Sequence, residues 1–93
     1  MAYADEQSYE EMINALQDFL SDLEEECTVM EGAGKDCVDN TDEDPAAVKS
    51  NARLQKCIGS IRENFETIQS IISALQKQIE NIRTIAAKAD MED

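Results

Sequence analysis

The sequence predicts an all-α protein: an antiparallel helical hairpin with coiled-coil packing that dimerises into a four-helix bundle. Three observations carry this. Apolar residues recur in alternating steps of four and three along two stretches of the 93-residue chain, which is the period of a supercoiling helix seam. Three Gly and one Pro are too few for the turns of an all-β domain. Between the two stretches lies the polar run Asp39-Asn40-Thr41-Asp42-Glu43-Asp44, a natural point of reversal.

The first helix is predicted over about residues 5–31. Its seam is Tyr9, Ile13, Leu16, Leu20, Leu23, Cys27 and Met30, flanked by Met12 and Phe19. Gly32 and Gly34 each weaken a helix by roughly 1 kcal/mol relative to Ala, so a loop is expected over about 32–44. Asp44-Pro45 then supplies a cap and a first-turn residue, and the second helix is predicted over about 45–88. Its seam runs Asn51, Leu54, Ile58, Ile61, Phe65, Ile68, Ile72, Leu75, Ile79, Ile82, Ala86 and Ala89. Cys57, Ile71 and Ile85 each precede an a position of that heptad and widen the stripe toward a bundle face.

Two amphipathic helices joined by a short loop pack antiparallel. Reversal near Asp42 sets Cys27 opposite Cys57 and Tyr9 opposite Leu75. At 1.5 Å per residue the second helix is about 65 Å long and the first about 40 Å. Ile79, Ile82 and Ile85 are therefore expected to outrun their cover. The stripe Phe65, Ile68, Ile72, Leu75, Ile79, Ile82 and Ile85 is the expected partner-binding surface, for a second copy or a different helical hairpin. Asn51 is expected either to set the register of the seam or to lie wet near the turn.

Charge and composition exclude whole classes of function. Acidic residues outnumber basic ones 21 to 8, a net charge of −13, and a nucleic-acid backbone binder needs the opposite sign. There is no His, so the commonest general base and neutral metal ligand are missing, and no Ser or Cys has a His to activate it. The acidic loop lacks the EF-hand pattern: counting from Asp39, the sixth residue is Asp44 and not Gly, and the twelfth is Ser50 and not Glu. No catalytic residue, no cofactor and no metal site is expected. Cys27, Cys37 and Cys57 have no zinc-ligand spacing. They read as small buried apolar residues in a reducing compartment, or alternatively as a Cys27–Cys57 disulfide that leaves Cys37 unpaired.

The charge is also uneven. Residues 1–45 hold 15 acidic side chains and one Lys, whereas residues 46–93 hold six acidic and seven basic ones. That contrast suits an antiparallel pair, with Arg53, Lys56 and Arg62 near Asp22, Glu24, Glu25 and Glu26. The surplus on helix one is either a solvated face that keeps the protein soluble or a surface for a basic partner, as in an acidic inhibitor or a nucleic-acid mimic. The start MAYADEQSYEE has no basic segment followed by an apolar run, so no signal peptide is expected. No apolar run is long enough to span a bilayer. Cytoplasmic synthesis is expected.

Met30-Glu31-Gly32 ahead of the turn region, followed by a long second helix rich in Ile and Leu, resembles the WXG-motif family of small helical-hairpin proteins of bacterial type VII secretion. Met30 and Gly32 stand where that family has the Trp and Gly of its Trp-x-Gly turn. Ala89-Asp90-Met91-Glu92-Asp93 stands where it has Tyr-x-x-x-Asp or Glu, with Ala in the place of Tyr and the final acid retained. The resemblance implies a hairpin that dimerises, or an accessory that binds the helical targeting domain of a larger secreted toxin and helps present it for export. A stand-alone coiled-coil scaffold is the third reading of the same pattern.

Overall fold

A computed structural model describes the backbone of residues 2–92 and the side chains of residues 6–90. It consists of two α-helices packed against each other, α1 (Ala2–Asn40) and α2 (Pro45–Glu92), with no strand among the described residues. The predicted start of α2 at Pro45 is the observed one. The predicted end of α1 near residue 31 is not, because the helix continues to Asn40 and the connection shrinks to residues 41–44. The physical reason is one of magnitude. A glycine costs a helix roughly 1 kcal/mol, which tertiary packing of the adjoining turns readily outweighs.

The reversal is closed by backbone hydrogen bonds at the end of α1. The Glu43 amide donates to the Val38 carbonyl (2.9 Å) and the Asp42 amide to the Asp39 carbonyl (3.2 Å). This is the Schellman pattern, which satisfies carbonyls that the helix itself leaves open. It requires a left-handed residue after the cap, and Asp42 (φ 58°) and Glu43 (φ 60°) adopt that conformation although neither is Gly. The Asp44 carboxylate then accepts from the amides of Ala46 (3.1 Å) and Ala47 (3.2 Å). This is the N-cap that the Asp-Pro pair predicts.

The chain forms two compact units, Leu20–Glu66 around the turn and Met1–Phe19 with Thr67–Asp93 at the helix ends. In the turn unit Cys27 and Ile58 are the fully buried side chains. Gly34 is buried too, where a Cβ would overlap the Asn51 side-chain oxygen and come within 3.0 Å of Leu54. That oxygen accepts from Gln55 Nε2 at 2.8 Å, and the same amide also reaches the Glu31 carbonyl at 3.4 Å. Arg62 reaches Glu31 with two nitrogens (2.7 and 2.8 Å) and Glu24 with one (3.1 Å). Asn51 therefore sits in a close interhelical contact near the turn, hydrogen-bonded and half-buried.

These contacts bracket residues 24–31 of α1 against 55–62 of α2. Cys27 of α1 and Ile58 of α2 are the buried residues of this stretch, while Cys57 is exposed. The alternative, a Cys27–Cys57 disulfide, is not formed, since all three cysteines are free; the reading of all three as buried apolar residues holds for Cys27 and is corrected for Cys37 and Cys57, which are exposed. A one-residue difference in register is enough, because neighbouring residues on a helix point about 100° apart.

In the helix-end unit Ile13, Ile72 and Ile79 are buried. Arg83 forms ion pairs with Glu6 and Glu10. The expectation that α2 outruns its cover at Ile79 is therefore corrected, since α1 begins at Ala2 and its first turns lie against this part of α2.

Candidate functional site

The heptad letters resolve how each helix is turned. With Ile13 and Ile58 at a, the buried residues Ile13, Cys27, Gly34, Ile58, Ile72 and Ile79 all fall at a. The d residues Leu16, Leu23, Met30, Leu54, Ile61, Ile68, Leu75 and Ile82 are all half-buried. Of the residues in the interhelical ion pairs, Arg62, Arg83, Glu10, Glu24 and Glu31 fall at e and Glu6 at a. The hairpin is therefore deepest at its a positions, with d half-buried, the ion pairs along the e side and g exposed. A symmetric a/d seam would have buried both layers equally.

Consequently the two flanks of the helix-end unit differ in chemistry. The e flank is polar, a groove of about 510 Å³ in which Ile13 and Ile79 lie among Glu10, Gln17, Gln76 and Arg83. On the other flank, the g residues Met12, Phe19, Ile71 and Ile85 are exposed, at 50, 51, 41 and 67%. Beside them at c and g stand Ser8 and Ala15 of α1, and Thr67, Ala74, Gln78, Asn81 and Lys88 of α2. All the described carboxylates of this unit, Glu6, Glu10, Glu11, Asp18, Glu80 and Asp90, fall at a, b, e or f. In a chain of net charge −13, this flank has no acidic side chain among the described residues.

This geometry redistributes the predicted partner-binding stripe. Ile72 and Ile79 are buried inside the hairpin and so are not free to meet a partner. Phe65, Ile68, Leu75 and Ile82 are half-buried, and Ile85 is exposed. Met12, Phe19 and Ile71, absent from that stripe, are exposed beside it. Their position one residue before an a residue is the signal that singles them out. The seam pattern alone gave a and d equal weight, and only the rotation of the helices separates them.

Met30 and Gly32, the residues that stand in the place of a Trp-x-Gly turn, lie inside α1 and are half-buried. The expectation that they form the turn is corrected: residues 41–44 form it, closed by the Schellman bonds. The C-terminal pattern begins at Ala89 and Asp90, which are helical, but the side chains of Met91, Glu92 and Asp93 lie outside the described residues.

The chemistry available to the site is that of a surface. No polar or charged side chain is buried among the described residues, and desolvation is what tunes a group for acid–base work. Those residues include no group of three or more His, Cys, Asp or Glu placed to hold a metal ion. The resolved perturbations belong to the Arg62 staple. The Arg62 hydrogen bond holds the Glu31 carboxyl below the usual carboxylate range, and Glu31, then Glu24, hold the Arg62 guanidinium above its ordinary value. No described helix is long and apolar enough to cross a membrane. Compared with models of known families, with characterised proteins and with solved structures, the chain matches none.

Proposed function

We propose that this chain is a non-enzymatic helical interaction protein, a WXG-like accessory or partner in type VII secretion. It binds a helical protein surface, either its own or that of the targeting domain of a secreted effector. The observation that supports this reading is the surface left over by folding. The chain exposes 7014 Å², whereas a folded monomer of 10.4 kDa exposes about 5,400 Å². The exposed surface includes a flank with four large apolar side chains and no carboxylate among its described residues. Patches of that kind mark protein-interaction surfaces.

The secretion part of the proposal draws on the hairpin architecture, which is what the resemblance to the WXG-motif family implies. Cytoplasmic synthesis and export through a type VII system belong to the same reading. The alternative is an acidic inhibitor or nucleic-acid mimic acting through carboxylates on α1. The two differ in their response to salt, because ion pairs are screened and apolar contacts are not.

The test is to isolate the native protein from its source cells at natural abundance and weigh the complexes that survive about 0.5 M salt. The expected result is a complex with a helical protein, or with a second copy, that Phe19→Glu abolishes. A complex that dissolves in salt and ignores Phe19→Glu would favour the acidic inhibitor. A chain that binds neither itself nor any other protein overturns both readings.

A further inference from the structure

We propose that the helix-end unit opens as one piece while the turn unit stays closed. This opening uncovers Ile13, Ile72 and Ile79, and Arg83 is the latch that holds the unit shut. The opening stands on its own. Its use, to release Ile72 and Ile79 of the apolar stripe to a partner, rests on the interaction reading above.

Chain topology makes the two units unequal. In the turn unit Arg62 joins Glu31 and Glu24 across 31 and 38 positions of sequence. In the helix-end unit Arg83 joins Glu6 and Glu10 across 77 and 73. The entropic cost of closing a loop rises with its length, and the longer loop is already shortened once the turn unit has formed. The turn unit can therefore close without the helix ends, whereas the helix ends depend on the turn unit. Opening runs in reverse, so the ends part first.

Packing points the same way. Cys27 and Ile58 in the turn unit are 0 and 1% exposed, whereas Ile13, Ile72 and Ile79 are each 6% exposed, and Ile13 and Ile79 border the polar groove. The Arg62 side chain is 32% exposed and that of Arg83 62%, and exposed ion pairs hold weakly. The turn unit also contains the Schellman bonds and the Asp44 cap. A helix draws most of its stability from tertiary packing, so segments that part also lose their amide protection. Cooperative units of this kind open below the free energy of global unfolding.

The experiment is native-state hydrogen exchange of the purified full chain, read by mass spectrometry of its peptides. In the wild type, amides of residues 6–19 and 67–90 are expected to exchange together, with protection roughly tenfold or more below that of residues 24–40 and 50–62. Arg83→Met removes ion pairs present only in the closed state, so it should speed exchange in both units by roughly two- to fivefold. Arg62→Met removes pairs that persist when only the ends have parted. It should speed the turn unit by at least as much and leave the helix-end unit unchanged. A second readout follows position 79 directly. The thiol introduced by Ile79→Cys should react faster than Cys27 of the same molecule, and Arg62→Met should speed only Cys27 of the two.

Equal protection in the two units, or an Arg62→Met variant that speeds both alike, overturns the proposal, because the hairpin then opens all at once. So does a difference in rate between residues 6–19 and 67–90, since each helix would then fray alone. An Arg83→Met variant with unchanged helix-end exchange overturns it as well. All of these results leave the interaction reading standing, because Met12, Phe19, Ile71 and Ile85 are exposed in the closed hairpin. A chain that opens as expected supports the proposal even if it binds no protein, and the interaction reading alone then fails.

Discussion

Gly34 of α1 and Asn51 of α2 meet at a point where no side chain fits between the helices. A Cβ at position 34 would overlap the Asn51 oxygen and press on Leu54. The residue that reads locally as a helix breaker is therefore a point of close approach. It lies within α1, and α1 passes through it to Asn40.

The glycines should consequently respond differently to the same change. Gly32 and Gly59 have open space where a Cβ would go. Gly32→Ala and Gly59→Ala are each expected to raise stability by up to about 1 kcal/mol through helix propensity. Gly34→Ala is expected to lower it by about 1–3 kcal/mol through overpacking, and adding Asn51→Ala should restore part of the loss. Urea unfolding of the four variants checks this. Equal gains at Gly32 and Gly34 would mean that the close approach is absent.

The turn offers a second pair with opposite signs. Asp42 holds a left-handed backbone (φ 58°) at the position where helices usually end in Gly. Asp42→Gly is expected to stabilise by about 1 kcal/mol by removing that steric cost. Asp44→Ala removes the acceptor of the Ala46 and Ala47 amides, and should destabilise by about 1 kcal/mol. Thermal melts at fixed protein concentration decide both, since self-association makes melting depend on concentration.

The Arg62 staple predicts a pH dependence. Glu31 titrates below its ordinary range because Arg62 hydrogen-bonds its carboxylate. A group with a lowered folded-state pKa contributes stability above its unfolded value, and that contribution disappears as pH falls through the folded one. The stability difference between wild type and Glu31→Gln should be constant near neutrality. It should shrink as pH drops below the ordinary carboxylate range. The many other carboxylates titrate in both proteins and cancel in the difference. A gap that widens on acidification would contradict the staple.

Thiol reactivity reads the packing of the turn unit directly. Cys37 and Cys57 are exposed and Cys27 is buried. Under native conditions a thiol reagent should modify two groups rapidly, and the third should react at a rate limited by opening of the hairpin. Mass mapping should place the slow site at Cys27. Rapid loss of all three thiols would show that the Cys27–Ile58 layer is not closed.

The heptad pattern, the Asp-Pro cap and the polar run 39–44 were sufficient to predict two helices, their antiparallel order and the start of α2. These are local signals: a helix seam and a capping carboxylate are written in residues a turn or so apart. The end of α1 was illegible for the same reason. Gly32 and Gly34 have a poor local preference, and the close approach of α2 at Gly34, through Asn51 and Leu54, comes from more than fifteen positions away in sequence.

The apolar flank divides in the same manner. The sequence by itself determined that Ile72, Leu75, Ile79, Ile82 and Ile85 belong to an apolar stripe. Only the tertiary structure decided which of them the hairpin uses, burying Ile72 and Ile79 and leaving Ile85 outside. It also decided that Met12, Phe19 and Ile71 join Ile85 on the side without described carboxylates. Periodicity fixes which residues share a helix face, but the rotation of each helix about its axis is set by cross-helix contacts such as Arg62 with Glu24 and Glu31 and Arg83 with Glu10. Those contacts exist only once the chain has folded back on itself.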